Sequence, residues 1–176
     1  MKPDKDMQRG SDYAGQDPAG WIVTEKFDGF FARWTGSALL TREGHDYNAP
    51  EWFTAGLPGF ALDCELFAGY GLRPFLNSAH RWRDKARWRQ VELIVFDAPA
   101  AHGGYEVRHR TITIRERPGL RVASRWTCPG KPGLVEALAA VKAKGGEGLV
   151  IRHPDVPYTV GRVATMLKVK PEFVHP

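Results

Sequence analysis

Trp21-Ile22-Val23-Thr24-Glu25-Lys26-Phe27-Asp28-Gly29-Phe30-Phe31-Ala32-Arg33-Trp34, residues 21 to 34, joins two apolar runs through a lysine and an Asp-Gly pair. Trp21 to Val23 and Phe30 to Trp34 are rich in β-branched and aromatic residues, which predicts two strands with a turn between them. The turn leaves Lys26 at the end of an apolar strand, where a surface lysine before a hairpin is the plainest reading. Ordered structure is expected to begin at Trp21. Residues 1–20 hold too little apolar surface to offset the entropy of ordering, and they read as a flexible N-terminal tail. They contain no apolar run able to serve as a signal-peptide core or a membrane span, so a cytoplasmic protein with no membrane partner is expected.

Working outward, Ala38 to Thr41, Phe60 to Phe67, Val91 to Phe96, Leu120 to Trp126, Gly148 to Ile151 and Met166 to Val169 are predicted strands. Lys131 to Lys144 places Leu134, Val135, Leu138 and Val141 on one helical face and stops at Gly145-Gly146. Tyr105 to Arg117 reads as a second helix. Strands joined mostly by turns argue for an α+β domain with largely antiparallel sheets flanked by helices, not a doubly wound α/β fold. A chain of 176 residues is the size of one domain, expected here over residues 21–176.

The balance of 25 Lys+Arg against 20 Asp+Glu gives a net charge of +5, an excess that suits a polyanionic partner without requiring one. Cys64 and Cys128 have no Cys or His neighbours at metal-ligand spacing, so they imply neither a zinc site nor a disulfide framework. No Gly-rich phosphate loop of the GxGxxG or GxxxxGK[ST] type is present, so any nucleotide phosphates must be held by side chains.

Charged residues recur on the apolar runs. Leu62-Asp63-Cys64-Glu65-Leu66 sets two acids two apart, hence on one face of a strand, where they cost free energy unless a cation or donor offsets them. Val91-Glu92-Leu93-Ile94-Val95-Phe96-Asp97 ends in an aromatic and an acid. Glu147-Gly148-Leu149-Val150-Ile151-Arg152 and Leu167-Lys168-Val169-Lys170 are further charge-bearing strands.

In this order and spacing the strings resemble the signature motifs of the covalent nucleotidyltransferases: ATP-dependent DNA ligases, RNA ligases and mRNA capping enzymes. The resemblance spans Trp21 to Pro171. Leu40-Thr41-Arg42-Glu43-Gly44, the run from Asn48 to Gly56, and Pro157-Tyr158-Thr159-Val160-Gly161-Arg162 are similar to the minimal bacterial DNA ligases. The resemblance implies an ATP-grasp-like nucleotidyltransferase fold, that of a DNA ligase adenylation domain, with Lys26 taking AMP from ATP. It implies that Glu65 and Glu147 organise the ribose and a Mg²⁺ ion, that Phe96 stacks on adenine and that Arg42 contacts the ribose. Lys168 and Lys170 would hold the α-phosphate and share in catalysis, and Glu25 would be a further nucleotide-binding residue.

An amine that attacks phosphorus must be neutral at that moment despite a free pKa near ~10.4. Positive charge from Mg²⁺, Lys168 and Lys170 would disfavour the protonated form of Lys26 and stabilise the transition state. AMP would then pass to the 5′-phosphate at a nick, and the 3′-hydroxyl would displace it.

Two positions depart from the family pattern. Phe31 stands where the family has an arginine, two residues after the Gly of the lysine motif, and Cys64 replaces the Gly between the paired acids. Arg33 lies on the same strand face as Phe31 and could substitute only with some displacement.

Nicked double-stranded DNA is the expected partner. His80-Arg81-Trp82-Arg83-Asp84-Lys85-Ala86-Arg87-Trp88-Arg89 interleaves positive charge with tryptophan. Arg81, Arg83, Lys85 and Arg87, with Arg33 and Arg162, are the candidate phosphate contacts, giving salt-dependent, sequence-independent affinity. The plainer alternative is a solvated segment whose tryptophans pack on the core. By resemblance an OB-fold domain follows the Lys168-Val169-Lys170 motif, and only Pro171 to Pro176 remain here. A separate OB-fold or repair protein is therefore a further expected partner of what should be a monomer. Two other readings stay open: an RNA ligase or capping-type transferase, and a DNA-binding accessory protein with weakened catalysis.

Overall fold

The computed structural model describes residues 7–173. Among them the strands are β1 (Gln8–Asp12), β2 (Ile22–Lys26), β3 (Phe30–Trp34), β4 (Leu39–Thr41), β5 (Leu62–Phe67), β6 (Glu92–Asp97), β7 (Leu120–Val122), β8 (Arg125–Thr127), β9 (Gly148–Arg152) and β10 (Gly161–Val169). The α-helices are α1 (Glu51–Thr54), α2 (Tyr105–Arg110) and α3 (Lys131–Ala143). One sheet has the order β1-β10-β9-β2-β8 and the other β4-β3-β5-β6-β7. All pairings are antiparallel except β1 with β10 and β6 with β7. This is the α+β, largely antiparallel architecture expected from the strand pattern. Among the described residues no helix is long and apolar enough to cross a membrane.

The Asp28-Gly29 turn is not a hairpin, because β2 and β3 belong to different sheets. Lys26 therefore stands where the chain crosses between them. A Cβ on Gly29 would lie 2.0 Å from the Leu66 carbonyl oxygen, so only glycine lets the crossing come this close to β5. Leu120 to Trp126, expected as one strand, is likewise split between the sheets. Buried Ala123, whose N–H donates to the Val95 carbonyl at 2.7 Å, marks the crossing.

Each sheet has its own core. Leu134, Leu138 and Val141 of α3 pack on Val23, Leu149, Ile151, Leu167 and Val169 of the first sheet. Val135, expected on that apolar face, is 47% exposed, because the i, i+4, i+7 stripe runs past it. Under the second sheet, Trp82, Trp88, Phe53 and Leu76 cluster with Trp34, Leu62, Cys64, Leu66 and Leu93. Trp88 is wholly buried, its ring 4.7 Å from Phe53 and 5.6 Å from Trp82. Burying about 200 Å² of indole contributes on the order of 5 kcal/mol.

Two further expectations are corrected. Residues 7–20 are not a loose tail: β1 pairs with β10, and Met7 and Tyr13 are buried. Backbone pairing supplies the order that sparse apolar content could not predict. The rest of that expectation, residues 1–6, lies outside the described residues. The second helix covers only Tyr105–Arg110. Thr111 to Ile114, a β-branched run, does not continue it.

Candidate active site

A cleft of about 780 Å³ draws its walls from both sheets, a size that suits a small-molecule site. Strand register brings the charges together. Lys26 ends β2 opposite Gly148, so Glu147, the residue before β9, lies beside it. Glu147 Oε2 is 2.5 Å from Lys26 Nζ, both side chains about three-quarters buried. On the other side of β9, Val169 pairs with Leu149, which carries Lys170 to 3.4 Å from Glu147 Oε1. Lys168, two residues back and so on the same face, also lines the cleft and pairs with Asp12 at 2.7 Å.

The second sheet supplies the opposite wall. Along β5, Leu62, Cys64 and Leu66 enter the core while Asp63 and Glu65 line the cleft. Cys64 thus departs from the family pattern on the face away from the site. Glu65 accepts the Gly29 N–H at 3.1 Å. Burial pushes its carboxyl up to about 8, opposed by Lys26 and reinforced by Glu147. Phe96 at the end of β6 and exposed Arg42 just after β4 border the same space, with the Arg42 guanidinium 5.7 Å from the Phe31 ring. Glu25 borders it too, but it alternates with Thr24 and Lys26, and its carboxylate accepts the Tyr70 hydroxyl at 2.8 Å.

Beneath the cleft lies a buried polar network. Arg33 donates to Asp63, whose other oxygen accepts the Tyr158 hydroxyl at 2.7 Å. Tyr158 in turn accepts the Gln8 N–H at 2.8 Å, tying β1 to the network. Burial pushes the Asp63 carboxyl up to about 6 against the pull of Arg33. Alongside, Arg108 grips Asp97 through two hydrogen bonds of 2.9 and 3.1 Å and donates to the Gly103 and Val156 carbonyls. Arg33, expected to touch DNA, is therefore corrected: at 5% exposure and committed to Asp63, it presents no surface to a duplex.

The other expected phosphate contacts lie in two places. Arg81, Arg83 and Lys85 are exposed outside the cleft lining, on the segment whose Trp82 and Trp88 are buried, so those tryptophans do pack on the core. Arg87 lies over the Trp82 ring at 4.4 Å. Arg162 borders the cleft and donates to the Gly10 carbonyl at 3.2 Å.

Three further cleft residues were given no role by the sequence. Arg152, at the far end of β9 from Glu147, is buried, donates to the Thr24 hydroxyl at 3.1 Å and leaves its Nε without a hydrogen-bond partner. Its guanidinium lies 5.3 Å from the Phe96 ring. Arg73 comes from a 3-10 turn (Arg73–Leu76), and Tyr158 from the Pro157–Arg162 run. Arg152 ends a charge-bearing apolar run and Tyr158 sits within the Pro157–Arg162 run, whereas Arg73 belongs to no such pattern.

Among the described residues no group of three or more His, Cys, Asp and Glu side chains gathers as a metal cage. Glu65 and Glu147 line the same cleft, and the Glu147 charge adds to the rise of the Glu65 carboxyl. Two carboxylates completed by phosphate and water oxygens are the donor set Mg²⁺ takes, so these residues fit that ion once a nucleotide is bound.

No family profile matches the chain. Among curated proteins it is 32% identical over 162 residues to a DNA ligase of Haemophilus influenzae, an alignment covering 90% of this chain. The chain spans 60% of the length of that relative. Among solved structures it superposes on a Lig E DNA ligase described as binding DNA with a minimal scaffold, with a TM-score of 0.84 and 32% identity over 93% of this chain and 68% of that one. Chlorella virus DNA ligase-adenylate shares the fold at a TM-score of 0.74 and 19% identity, over 93% of this chain and 66% of the other.

Proposed function

This chain belongs to the DNA ligase family, as its nucleotidyltransferase domain, and we propose that it is ATP-dependent: Lys26 takes AMP from ATP and passes it to the 5′-phosphate of nicked DNA. The observation that carries this is that Glu147, paired with both Lys26 and Lys170, shares one cleft with Lys168, Glu65, Phe96 and Arg42.

In the first transfer Nζ bonds to the α-phosphorus of ATP as the bond to pyrophosphate breaks. The proton leaving Nζ has Glu147 Oε2 as its nearest acceptor. Lys168 and Lys170 offset phosphate charge as point cations. Phe96 offers a stacking face for the base, and the unpartnered Nε of Arg152 leaves a donor beside it. In the second transfer an oxygen of the DNA 5′-phosphate attacks the same phosphorus, the P–N bond breaks, and Lys26 takes back a proton. In the third the 3′-hydroxyl, losing its proton, attacks the 5′-phosphorus, and AMP leaves as the phosphodiester forms. Glu65 and Glu147 would hold a Mg²⁺ ion, which would supply further charge neutralisation. Arg81, Arg83, Lys85 and Arg87 add sequence-independent duplex affinity.

Intact mass spectrometry after incubation with ATP and Mg²⁺ tests this. One added adenylate is expected, absent in Lys26→Ala and absent with GTP, followed by sealing of nicked DNA on a denaturing gel. An unmodified native chain, or an adenylated Lys26→Ala, overturns it.

A further inference from the structure

Building on that adenylating role of Lys26, we infer that Arg73 grips the acceptor's terminal 5′-phosphate. The cleft has several cations, and most are spoken for. Arg33 is buried against Asp63. Lys168 pairs with Asp12, and Lys170 lies between Glu147 and Glu172. Arg152 is buried at Thr24, and Arg162 is turned to the Gly10 carbonyl.

Arg73 differs from all of these. Its guanidinium rests on the Phe30 ring, 4.5 Å from the centroid. Nε donates to the Gly29 carbonyl at 3.1 Å and lies 3.3 Å from Asp28 Oδ1. Neither Nη1 nor Nη2 has a hydrogen-bond partner among the described residues. The side chain is 49% exposed and lines the same cleft as Lys26. A guanidinium tethered by Nε alone, with an aromatic ring under its plane, presents its outer fork in a fixed orientation, the geometry that takes a phosphate through two parallel hydrogen bonds. The pair between Nε and Asp28 is half exposed on both sides, so the acid competes only weakly with a dianion at the fork.

Position selects the acceptor phosphate over the triphosphate of ATP. Gly29 is three residues beyond the nucleophile, and its N–H is held by Glu65 while its carbonyl is held by Arg73. The fork is thereby locked to the turn that carries Lys26. The lysines matched to the nucleotide phosphates stand on β10 and just past its end, in the other sheet. From Arg73 the cleft wall runs on through Leu76, Ser78, Ala79 and His80 to exposed Arg81 and Arg83, so an end gripped at Arg73 continues onto the basic surface.

The test titrates two fluorescent nicked duplexes, one with a 5′-phosphate and one with a 5′-hydroxyl at the nick, and reads anisotropy. The native chain should prefer the phosphate by about tenfold or more, the worth of a charge-assisted pair of hydrogen bonds. Arg73→Ala should erase the preference and Arg73→Lys keep part of it, both with native melting temperatures. With lysyl-AMP formed beforehand, AMP transfer to the 5′-phosphate should fall more than tenfold further than lysyl-AMP formation does. A native chain without the preference, or Arg73→Ala that retains it, overturns the proposal. So does a defect falling mainly on lysyl-AMP formation, which would put Arg73 on the triphosphate. If the native chain forms no lysyl-AMP, the adenylating role fails, while the anisotropy still decides the part played by Arg73.

Discussion

Asp12 Oδ1 lies 2.7 Å from Lys168 Nζ, so the N-terminal strand sets an acid on the β10 lysine that lines the cleft. Lys168 holds the Asp12 carboxyl below its usual range. A phosphate arriving at Lys168 must share or displace that acid. Asp12→Asn should therefore lower the half-saturating ATP concentration for lysyl-AMP formation by about two- to fivefold at low salt. The gain should shrink as salt screens the exposed pair. An unchanged ATP requirement at low salt would show that Asp12 does not compete.

Stability should carry the signature of Glu65. Its carboxyl titrates at about 8 in the fold against 4.5 when free, so the folded state holds the extra proton between those values. The stabilisation it contributes is full below about 4.5 and is lost as pH rises through about 8. Thermal melts of the native chain and Glu65→Gln, recorded from pH 5 to pH 9, should separate with rising pH in favour of the variant. Gln keeps an oxygen for the Gly29 N–H, so parallel curves would mean that Glu65 ionises freely in the fold.

Asp97 and Arg108 form a bidentate pair with 3% and 1% side-chain exposure. Removing the acid strands a guanidinium that also holds the Val156 carbonyl. Asp97→Ala should cost about 3–5 kcal/mol in urea unfolding. A loss below about 1 kcal/mol would mean that water reaches Arg108 and replaces its partner.

Salt dependence separates the surface cations from the buried one. Arg81→Ala and Arg83→Ala together should lower the slope of log affinity for nicked duplex against log salt by about 0.9 each, or about 2 in all. Fluorescence anisotropy over a salt series reads this directly. A slope identical to that of the native chain would move the duplex to another face.

Some of this site was visible in the linear chain. The residues of β3 were recovered end to end, and α3 was bracketed by Lys131 and the Gly145-Gly146 break, because side-chain period and a C-terminal glycine are local properties. Lys26, Arg42, Glu65, Phe96, Glu147, Lys168 and Lys170 stand in runs that resemble the motifs of the nucleotidyltransferases, and all line one cleft.

What local pattern cannot carry is which sheet a strand joins and which side chains that choice buries. Leu120 to Trp126 reads as one run, yet Leu120–Val122 hydrogen-bonds β6 and Arg125–Thr127 hydrogen-bonds β2. Arg33 looks like any exposed strand arginine until β5 lays Asp63 against it. Gln8–Asp12 has the composition of a tail and acquires order from a partner about 150 residues away. Residue chemistry was therefore settled by the order of amino acids alone. Charge pairing and accessibility, which decide whether a cation meets ligand, acid or water, depend on contacts between distant segments and arose only when the two sheets closed around the cleft.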